Sequence, residues 1–226
     1  QTCALPISHI TNDPLIQEYI PMLGDAVDMV GGPQIRNTGT IGGNICNGAT
    51  SADSASTMWT LEADVVLEGP EGERTVPVWE FYTGPGRTVR DRCEVCKGFV
   101  IHRDSYEGWT GHYIKYGKRK AMEIATLGCA VRVKLSPDKK QIEDVRLGYG
   151  VAGPTPLRCL KAEEGLRGHD INDNDAILAF GRDALTQVNP RTSWRASKEF
   201  RLQLIEELSK RALKEAIKKA GGEIDA

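Results

Sequence analysis

A glycine- and asparagine-rich stretch near the N-terminus constrains this chain most. Residues 31–53 read GGPQIRNTGTIGGNICNGATSAD and contain six glycines and three asparagines, with few bulky apolar residues among them. Such a stretch cannot build a hydrophobic core, but glycine lets the backbone turn freely and approach a ligand closely. Successive backbone N–H groups in loops of this kind converge on anions. The pattern therefore predicts a loop that holds a phosphate-bearing ligand.

Composition argues against several classes of function. The 226 residues include 29 Lys and Arg against 31 Asp and Glu, a balance that is not typical of a nucleic-acid-binding protein. No apolar run approaches the roughly 20 residues that span a bilayer, and the first residues do not resemble a secretion signal. Six cysteines are scattered along a chain too long for a disulfide scaffold. We therefore expect a cytoplasmic protein that binds neither nucleic acid nor a membrane.

Hydrophobic periodicity predicts an α+β chain in two parts. The first part is expected to contain a helical stripe over 13–30 that breaks at Pro21, a short helix over 54–61, and strands at 64–68, 74–78 and 97–102. The second part is expected to contain strands at 111–116, 130–135 and 142–151, and then helices after residue 158, at 176–188 and at 198–220. The composition changes between these parts, so we predict domains of 1–106 and 107–226.

The strongest metal or redox candidate is the pair Cys93-x-x-Cys96. A zinc site needs two more ligands at suitable spacing, and the sequence offers neither a second C-x-x-C nor an H-x₃-H. A thioredoxin-type motif opens a helix, whereas this pair leads into a predicted strand. We therefore interpret both as ordinary cysteines, one of them facing a core. The sequence also lacks Walker A, G-x-S-x-G and H-E-x-x-H motifs, so any catalysis would depend on a cofactor.

Three clusters of polar residues remain as candidates for function. The first is the set of polar side chains inside the glycine-rich stretch. The second is the basic segment 115–120 at the end of a predicted strand, and such a charge run is usually a solvated surface. The third is the segment 194–201 (WRASKEFR), a helix start with an unusual density of Trp and Arg. That composition suits a buried ion pair, a cation–π brace or a subunit interface.

Taken together, several segments resemble the FAD-binding subunit of bacterial xanthine dehydrogenase. They are PQIRNTGTIGGNICNGATSADS at 33–54, FYTGPGR at 81–87, KYGKRKAMEIATLGCA at 115–130, GVAGPTPLRC at 150–159 and SWRASKEFRLQLI at 193–205. They match in order and spacing, and the resemblance covers about residues 9–222. It implies the second half of a vanillyl-alcohol-oxidase-type FAD-binding domain, followed by an α+β C-terminal domain with a three-stranded antiparallel sheet and helices.

The resemblance also implies which residues contact the cofactor. Thr40, Ile41, Gly42, Gly43 and Asn44 fall on the flavin-contacting loop of the family. Asp53 falls on its acidic FAD contact, and Lys115 falls on a further FAD contact. Cys96 falls where relatives usually carry an aliphatic residue beside the flavin. No catalytic residue and no metal ligand is predicted in this chain.

By the same resemblance, the chain transfers electrons within a larger enzyme. Its FAD would receive electrons from 2Fe-2S clusters on an iron–sulfur subunit and pass them to NAD. Molybdopterin would be held by a separate molybdenum-binding subunit. Two alternatives stay open: a flavoprotein subunit of another molybdenum hydroxylase, of the CO, nicotinate or aldehyde type, and a flavin-free assembly subunit.

The sequence departs from the family pattern at its start. Relatives carry an upstream segment with a first glycine-rich loop that holds the pyrophosphate, and the sequence as given lacks it. Residues 1–8 also look foreign to the family. These two features suggest a truncated gene model or an assembly join, and we expect the chain by itself to bind FAD poorly.

Overall fold

Two hydrophobic cores organise the chain. The computed structural model describes residues 5–224. One core is built by apolar residues from positions 7–106, and the other by residues from positions 114–224. A small cluster of Met22, Ala26, Tyr113 and Ala130 joins the helices of the first part to the sheet of the second. Within residues 5–224, no helix combines the length and the apolar character that crossing a membrane requires.

Short helices make up the first third of the chain. They are α1 (Ile7–Asn12), α2 (Pro14–Tyr19), α3 (Pro21–Asp28), α4 (Pro33–Thr38), α5 (Ile41–Cys46) and α6 (Asp53–Thr60). Proline opens α2, α3 and α4, as expected for a residue with a preset φ and no N–H to leave unpaired. Pro21 separates α2 from α3, so the predicted break in the helical stripe is confirmed.

The glycine-rich stretch is not the open loop that its composition predicts. Most of residues 33–46 belong to α4 and α5. Thr40 caps α5, because its hydroxyl oxygen accepts a hydrogen bond from the Gly43 N–H at 3.0 Å. Ile41 and Ile45 are buried and anchor the same helix to the first core. Capping and packing therefore overcome the low helix propensity of Gly42 and Gly43.

A three-stranded antiparallel sheet follows α6. The next elements are β1 (Asp64–Gly69), β2 (Gly72–Pro77), α7 (Val78–Phe81), β3 (Tyr82–Gly84), β4 (Arg87–Thr88) and β5 (Val95–Val100). The sheet order is β2-β1-β5, and β1 buries Val65 and Leu67 as an alternating strand does. Strands β3 and β4 form a separate two-stranded hairpin within the glycine- and proline-containing segment 81–87 and the residue that follows it.

The second part is an antiparallel sheet covered by helices. Its elements are a short 3₁₀ helix (Arg103–Ser105), β6 (Thr110–Tyr116), β7 (Leu127–Leu135), β8 (Ile142–Gly150), β9 (Leu157–Arg158), α8 (Leu160–Leu166), α9 (Asn174–Leu185) and α10 (Lys198–Lys219). The sheet order is β6-β7-β8-β9. The three long strands lie where the sequence predicts them, and the two-residue β9 extends the sheet by one strand. Helices α6 and α10 both contact β7, which is buried along most of its length.

At the start of α10, the buried residue is not the one that the apolar spacing predicts. Helical spacing places Phe200 on the buried face of this helix, yet its side chain is 38% exposed and packs edge-on against Tyr116. Arg201 is buried instead, and its guanidinium donates to the Thr126 carbonyl at 3.2 Å, to Ser193 Oγ at 2.8 Å and to the Arg191 carbonyl. The predicted cation–π contact in this segment is the stack of Arg195 on Trp194, whose ring is 79% exposed.

A network of arginines joins α6 to the second sheet. The guanidinium carbons of Arg132 and Arg146 lie 5.1 and 4.4 Å from the centre of the Trp109 ring. Both arginines donate to the Thr60 carbonyl at the end of α6, at 3.0 and 3.1 Å. Glu62 follows α6 and pairs with Arg146 at 2.8 Å. These contacts fix the orientation of α6, which begins at Asp53.

His112 gives the stability of the protein a predicted pH dependence. Its Nδ1 is buried and has no hydrogen-bond partner among residues 5–224, and burial, with the nearby Lys219, lowers its pKa below the ordinary value of about 6.5. The unfolded chain therefore binds this proton more tightly than the folded chain, so stability falls as the pH drops through about 6.5. We expect His112→Gln to lose less stability than the wild type between pH 8 and pH 5, measured by urea unfolding. An equal loss in both proteins would contradict this prediction.

Candidate functional site

An open cavity lies where the glycine-rich stretch meets the segment that follows β6. Its volume is about 340 Å³. One wall is formed by Val30, Gly31 and residues 44–53, and the other by residues 122–124, which follow β6. The side chains of Asn44, Asn47 and Asp53 reach this cavity. Of the predicted cofactor contacts, Asn44 and Asp53 line this cavity, whereas Thr40, Ile41, Gly42, Gly43, Cys96 and Lys115 do not.

Asp53 is the most constrained polar residue at this cavity. It opens α6 and is only 6% exposed. Its Oδ1 accepts a hydrogen bond from the Tyr113 hydroxyl at 2.9 Å, and its Oδ2 accepts one from Lys115 Nζ at 2.8 Å. Lys115 also donates to the Met29 carbonyl at 2.7 Å. Two residues that the sequence places 62 positions apart thus form one buried ion pair.

Burial shifts the pKa values of both Asp53 and Tyr113. Desolvation raises the pKa of the Asp53 carboxyl, while the charge and the hydrogen bond of Lys115, with the hydrogen bond of Tyr113, oppose that rise. Burial also raises the pKa of the Tyr113 phenol well above its ordinary value, and the neighbouring Asp53 charge adds to the effect. Tyr113 therefore stays a neutral hydrogen-bond donor at physiological pH. The carboxylate depends on Lys115 and Tyr113 to keep its charge.

The pair keeps hydrogen-bonding capacity for a ligand. Lys115 has three N–H donors and uses two of them, for Asp53 and Met29. Each oxygen of Asp53 accepts one hydrogen bond from protein and has a second acceptor site. The arrangement can thus bind an anionic or carbonyl oxygen through Lys115 and an O–H or N–H group through Asp53.

Helix α5 carries the other predicted contacts. Thr40 is its N-cap, Ile41 and Gly42 are buried, and Gly43 is exposed in the first turn. The Ile41 side chain belongs to the core, so only its backbone could contact a ligand. Asn44 lines the cavity, and its Oδ1 accepts a hydrogen bond from Ser54 Oγ at 2.7 Å. This bond couples the orientation of the Asn44 amide to the start of α6.

Cys96 lies apart from this cavity. It is half-buried in β5, and its thiol donates to the Gly98 carbonyl at 3.8 Å. Among the described residues, Cys96 does not line the cavity that contains Asp53. Residues 5–224 contain no group of three or more His, Cys, Asp or Glu side chains placed to hold a metal.

Sequence reasoning missed Tyr113 and the segment 122–124. Tyr113 lies two residues before Lys115 in β6, so the two side chains point to the same face of the strand. That spacing could have identified Tyr113 once Lys115 was chosen. Residues 122–124 carry no comparable signal, because their position depends on contacts such as the hydrogen bond from the Met122 N–H to the Gly31 carbonyl.

Two family models match successive parts of the chain. Residues 3–101 match the FAD binding domain in molybdopterin dehydrogenase, and residues 112–216 match the CO dehydrogenase flavoprotein C-terminal domain. The first match begins at residue 3, upstream of residue 9, where the resemblance in sequence is expected to begin. The expectation that residues 1–8 are foreign to the family is therefore wrong for residues 3–8.

Individual relatives agree with these models. The chain is 41% identical over 221 residues to the putative xanthine dehydrogenase FAD-binding subunit XdhB of Escherichia coli K12, covering 98% of this chain and 75% of that protein. It is 31% identical over 207 residues to the carbon monoxide dehydrogenase medium chain of Hydrogenophaga pseudoflava, covering 92% of this chain and 70% of that protein. A solved structure of carbon monoxide dehydrogenase from the same organism superposes with a TM-score of 0.86 at 30% identity, over 96% of this chain and 73% of the other. The chain belongs to the family of FAD-binding oxidoreductase subunits of molybdenum hydroxylases.

Proposed function

We propose that this chain is the FAD-carrying electron-transfer subunit of a xanthine dehydrogenase-type molybdenum hydroxylase. The observation that carries the proposal is the 41% identity to the Escherichia coli protein named for xanthine dehydrogenase. The relatives named for carbon monoxide, glyceraldehyde and nicotinate are 31%, 29% and 35% identical over shorter aligned lengths. The sequence therefore favours the purine branch over the CO, aldehyde and nicotinate types.

The residues at the cavity fit FAD. A dinucleotide offers phosphate oxygens, ribose hydroxyls and ring N–H groups. Asp53 lines the cavity and has spare acceptor sites for a hydroxyl or a ring N–H. Lys115 does not line the cavity itself, but it is bonded to Asp53 and has a spare N–H donor for a carbonyl or anionic oxygen. The amides of Asn44 and Asn47 can donate and accept. This donor and acceptor set supports the assignment of Asn44, Asp53 and Lys115 as cofactor contacts.

The other proposed contacts lie on α5 and β5. The N–H groups of Ile41 and Gly43 are bonded to the Leu5 carbonyl and to Thr40 Oγ1, so we propose that Thr40, Ile41, Gly42 and Gly43 act through the close approach that the exposed Gly43 permits at the start of α5. Cys96 remains a proposed contact on the strength of its position in the family motif, although its thiol bonds the Gly98 carbonyl and it does not line the cavity. A direct contact would require the flavin to reach the end of α5.

In this role the chain would bind FAD, orient it and set the electrostatic environment around it. When bound, FAD would accept electrons from the 2Fe-2S clusters of an iron–sulfur subunit and pass them to NAD. Lys115 would place a fixed positive charge near the cofactor, and Asp53 would hold Lys115 in position through their 2.8 Å bond. Tyr113 would keep Asp53 oriented by donating its phenolic proton.

The partners and the location are part of the proposal. We propose a heterotrimer of this chain with a molybdopterin-binding subunit and an iron–sulfur subunit, located in the cytoplasm. Support comes from relatives that are named as medium chains or subunits of larger dehydrogenases. We also propose that the domain boundary lies at residues 106 and 107, which is supported by the two separate cores and by family models that end at 101 and begin again at 112.

Co-purification tests this function. The tagged chain is isolated from its native host, and the complex is assayed for flavin, molybdenum, iron and xanthine-dependent NAD reduction. We expect one FAD per copy of this chain, two partner subunits, and NAD reduction that requires xanthine. A complex that oxidises nicotinate, an aldehyde or CO but not xanthine would overturn the substrate assignment. A colourless chain that still binds its partners would favour the assembly subunit.

A further inference from the structure

We propose that Arg132 binds a small monovalent anion such as chloride, between the helices of the first part and the sheet of the second. The Arg132 side chain lines a narrow cavity of about 10 Å³. The other residues that line it are 19–23 around the start of α3, Leu61, Trp109 and Gly111. This cavity shares no lining residue with the one that contains Asp53, and the proposal does not depend on FAD binding.

The fold buries the charge of Arg132 deliberately close to its neighbours. Arg132 is 3% exposed and lies in β7, where Gly111 of β6 is its partner across the sheet. A Cβ added at Gly111 would lie 2.9 Å from Arg132 Cγ and 2.7 Å from Met22 Sδ. A larger residue at position 111 would therefore collide with the arginine stem and with α3. Glycine at this position lets the guanidinium reach the first part of the chain.

The guanidinium keeps hydrogen-bonding capacity for a ligand. Arg132 has five N–H donors, and Nη1 uses its two on the carbonyl oxygens of Thr60, at 3.0 Å, and Ser105. The N–H groups of Nε and Nη2 have no hydrogen-bond acceptor among residues 5–224. Three donors of a buried side chain are thus available to a group held in the cavity.

The nearby carboxylates are already paired with other arginines. Glu62 binds Arg146 at 2.8 Å and Arg158 at 2.5 Å, and Glu163 binds Arg158 at 2.6 Å. Within the described range 5–224, Arg132 forms no ion pair with a carboxylate. Burial and the charge of Arg146 lower the pKa of Arg132 to about 9, so the guanidinium is still charged at neutral pH. The cluster therefore carries one positive charge in excess, and an anion beside Arg132 would offset it.

The lining of the cavity favours an anion over a water molecule. The side chains around Arg132 are apolar or aromatic, so a water molecule would find no carboxylate there to accept its protons. An anion accepts from several N–H donors at once and also supplies the missing negative charge. The volume of about 10 Å³ suits a single small ion. Met22 lines the cavity with an unbranched, flexible side chain that can adjust to an ion somewhat larger than water.

Anion binding would stabilise the junction between the two parts of the chain. Arg132 and Arg146 both donate to the Thr60 carbonyl at the end of α6. An anion that offsets their repulsion would strengthen this hold on α6, the helix that Asp53 opens. The unfolded chain has no such cavity, so the anion would bind the folded state and raise the melting temperature.

Thermal unfolding in chloride tests the proposal. The melting temperature of the full chain is measured at constant ionic strength while sodium gluconate, whose anion is too large for the cavity, is replaced stepwise by sodium chloride. We expect a saturating rise of roughly 3 to 5 °C, as a tenfold excess over the dissociation constant would give. Arg132→Met should lose this rise. Arg195→Met is the matched control and should keep it, because Arg195 also stacks on a tryptophan but does not line the cavity.

Crystals of the wild type soaked in sodium bromide locate the ion without any variant, should Arg132→Met fail to fold. We expect an anomalous scattering peak within hydrogen-bond distance of Arg132 Nε or Nη2. The absence of a peak beside Arg132 would overturn the proposal. An equal rise in melting temperature in the wild type and in Arg132→Met, or a rise that does not saturate with chloride, would overturn it as well, since either result indicates a general salt effect.

Discussion

Gly43→Val should abolish FAD retention while the second domain stays folded. Gly43 is exposed in the first turn of α5, and a Cβ at this position would lie 3.2 Å from Thr40 Oγ1, the atom that accepts the Gly43 N–H. A branched side chain would therefore disturb the cap and cover the backbone that we propose to approach the cofactor. The measurement is the flavin absorbance of the purified variant, with circular dichroism to monitor folding.

Gly98→Val is the matched control for this substitution. Gly98 lies in β5 and lines a different, apolar cavity, and a Cβ added there would meet no heavy atom of residues 5–224 within 4 Å beyond its chain neighbours. Valine suits an extended strand, so this variant should keep both its fold and its flavin. Normal flavin content in Gly43→Val would refute the placement of the cofactor at α5. If both variants lose flavin, the protein responds to an added side chain at either position. That result would also contradict the placement of the cofactor at α5.

Asp53→Ala should lower the free energy of unfolding by about 3–5 kcal/mol, because it leaves the Lys115 ammonium buried without its counterion. The lost partners are the 2.8 Å bond to Lys115 and the 2.9 Å bond to Tyr113. Asp53 is 6% exposed, so water cannot replace these contacts without rearrangement. Urea unfolding of the protein without FAD measures the effect separately from cofactor binding.

The double variant Asp53→Ala with Lys115→Met separates a broken ion pair from a simple cavity. It removes both charges, so it should be more stable than Asp53→Ala alone. Lys115→Met alone should lower the free energy of unfolding by less than Asp53→Ala does. Burial already raises the pKa of Asp53, so its carboxyl can take up a proton when Lys115 is removed. If the double variant loses as much free energy of unfolding as the two single variants lose together, the two residues are not coupled and the prediction is wrong.

Elements with strong local patterns could be predicted from the sequence. Helix α10 follows from its apolar spacing and its Ser197 cap, and β6, β7 and β8 follow from alternating or continuous apolar runs between turn residues. The break at Pro21 follows from the geometry of proline. The resemblance to a family singled out both Asp53 and Lys115, which no local rule could connect. These predictions depend on residues close in sequence or on a motif shared with relatives.

The remaining features depend on contacts between distant residues. Helices α4 and α5 form in a glycine-rich stretch because Thr40 caps α5 and Ile45 enters the core, and neither contact is visible as periodicity. Arg201 replaces Phe200 on the buried side of α10 because the carbonyls of Arg191 and Thr126 accept from its guanidinium. The hydrogen bonds from Tyr113 and Lys115 to Asp53 require the start of α6 to lie against β6. Local patterns in a single sequence do not show which distant residues come into contact.

Hydrogen exchange with and without FAD tests the central claim most directly, because it locates the cofactor on the chain. The claim is that FAD binds at the cavity formed by the end of α5, the start of α6 and residues 122–124. With saturating FAD, we predict slower amide exchange in peptides that cover residues 40–53 and 113–124, and little change in α9 and α10. Unchanged exchange in both peptides despite flavin binding, or protection confined to other segments, would contradict the account.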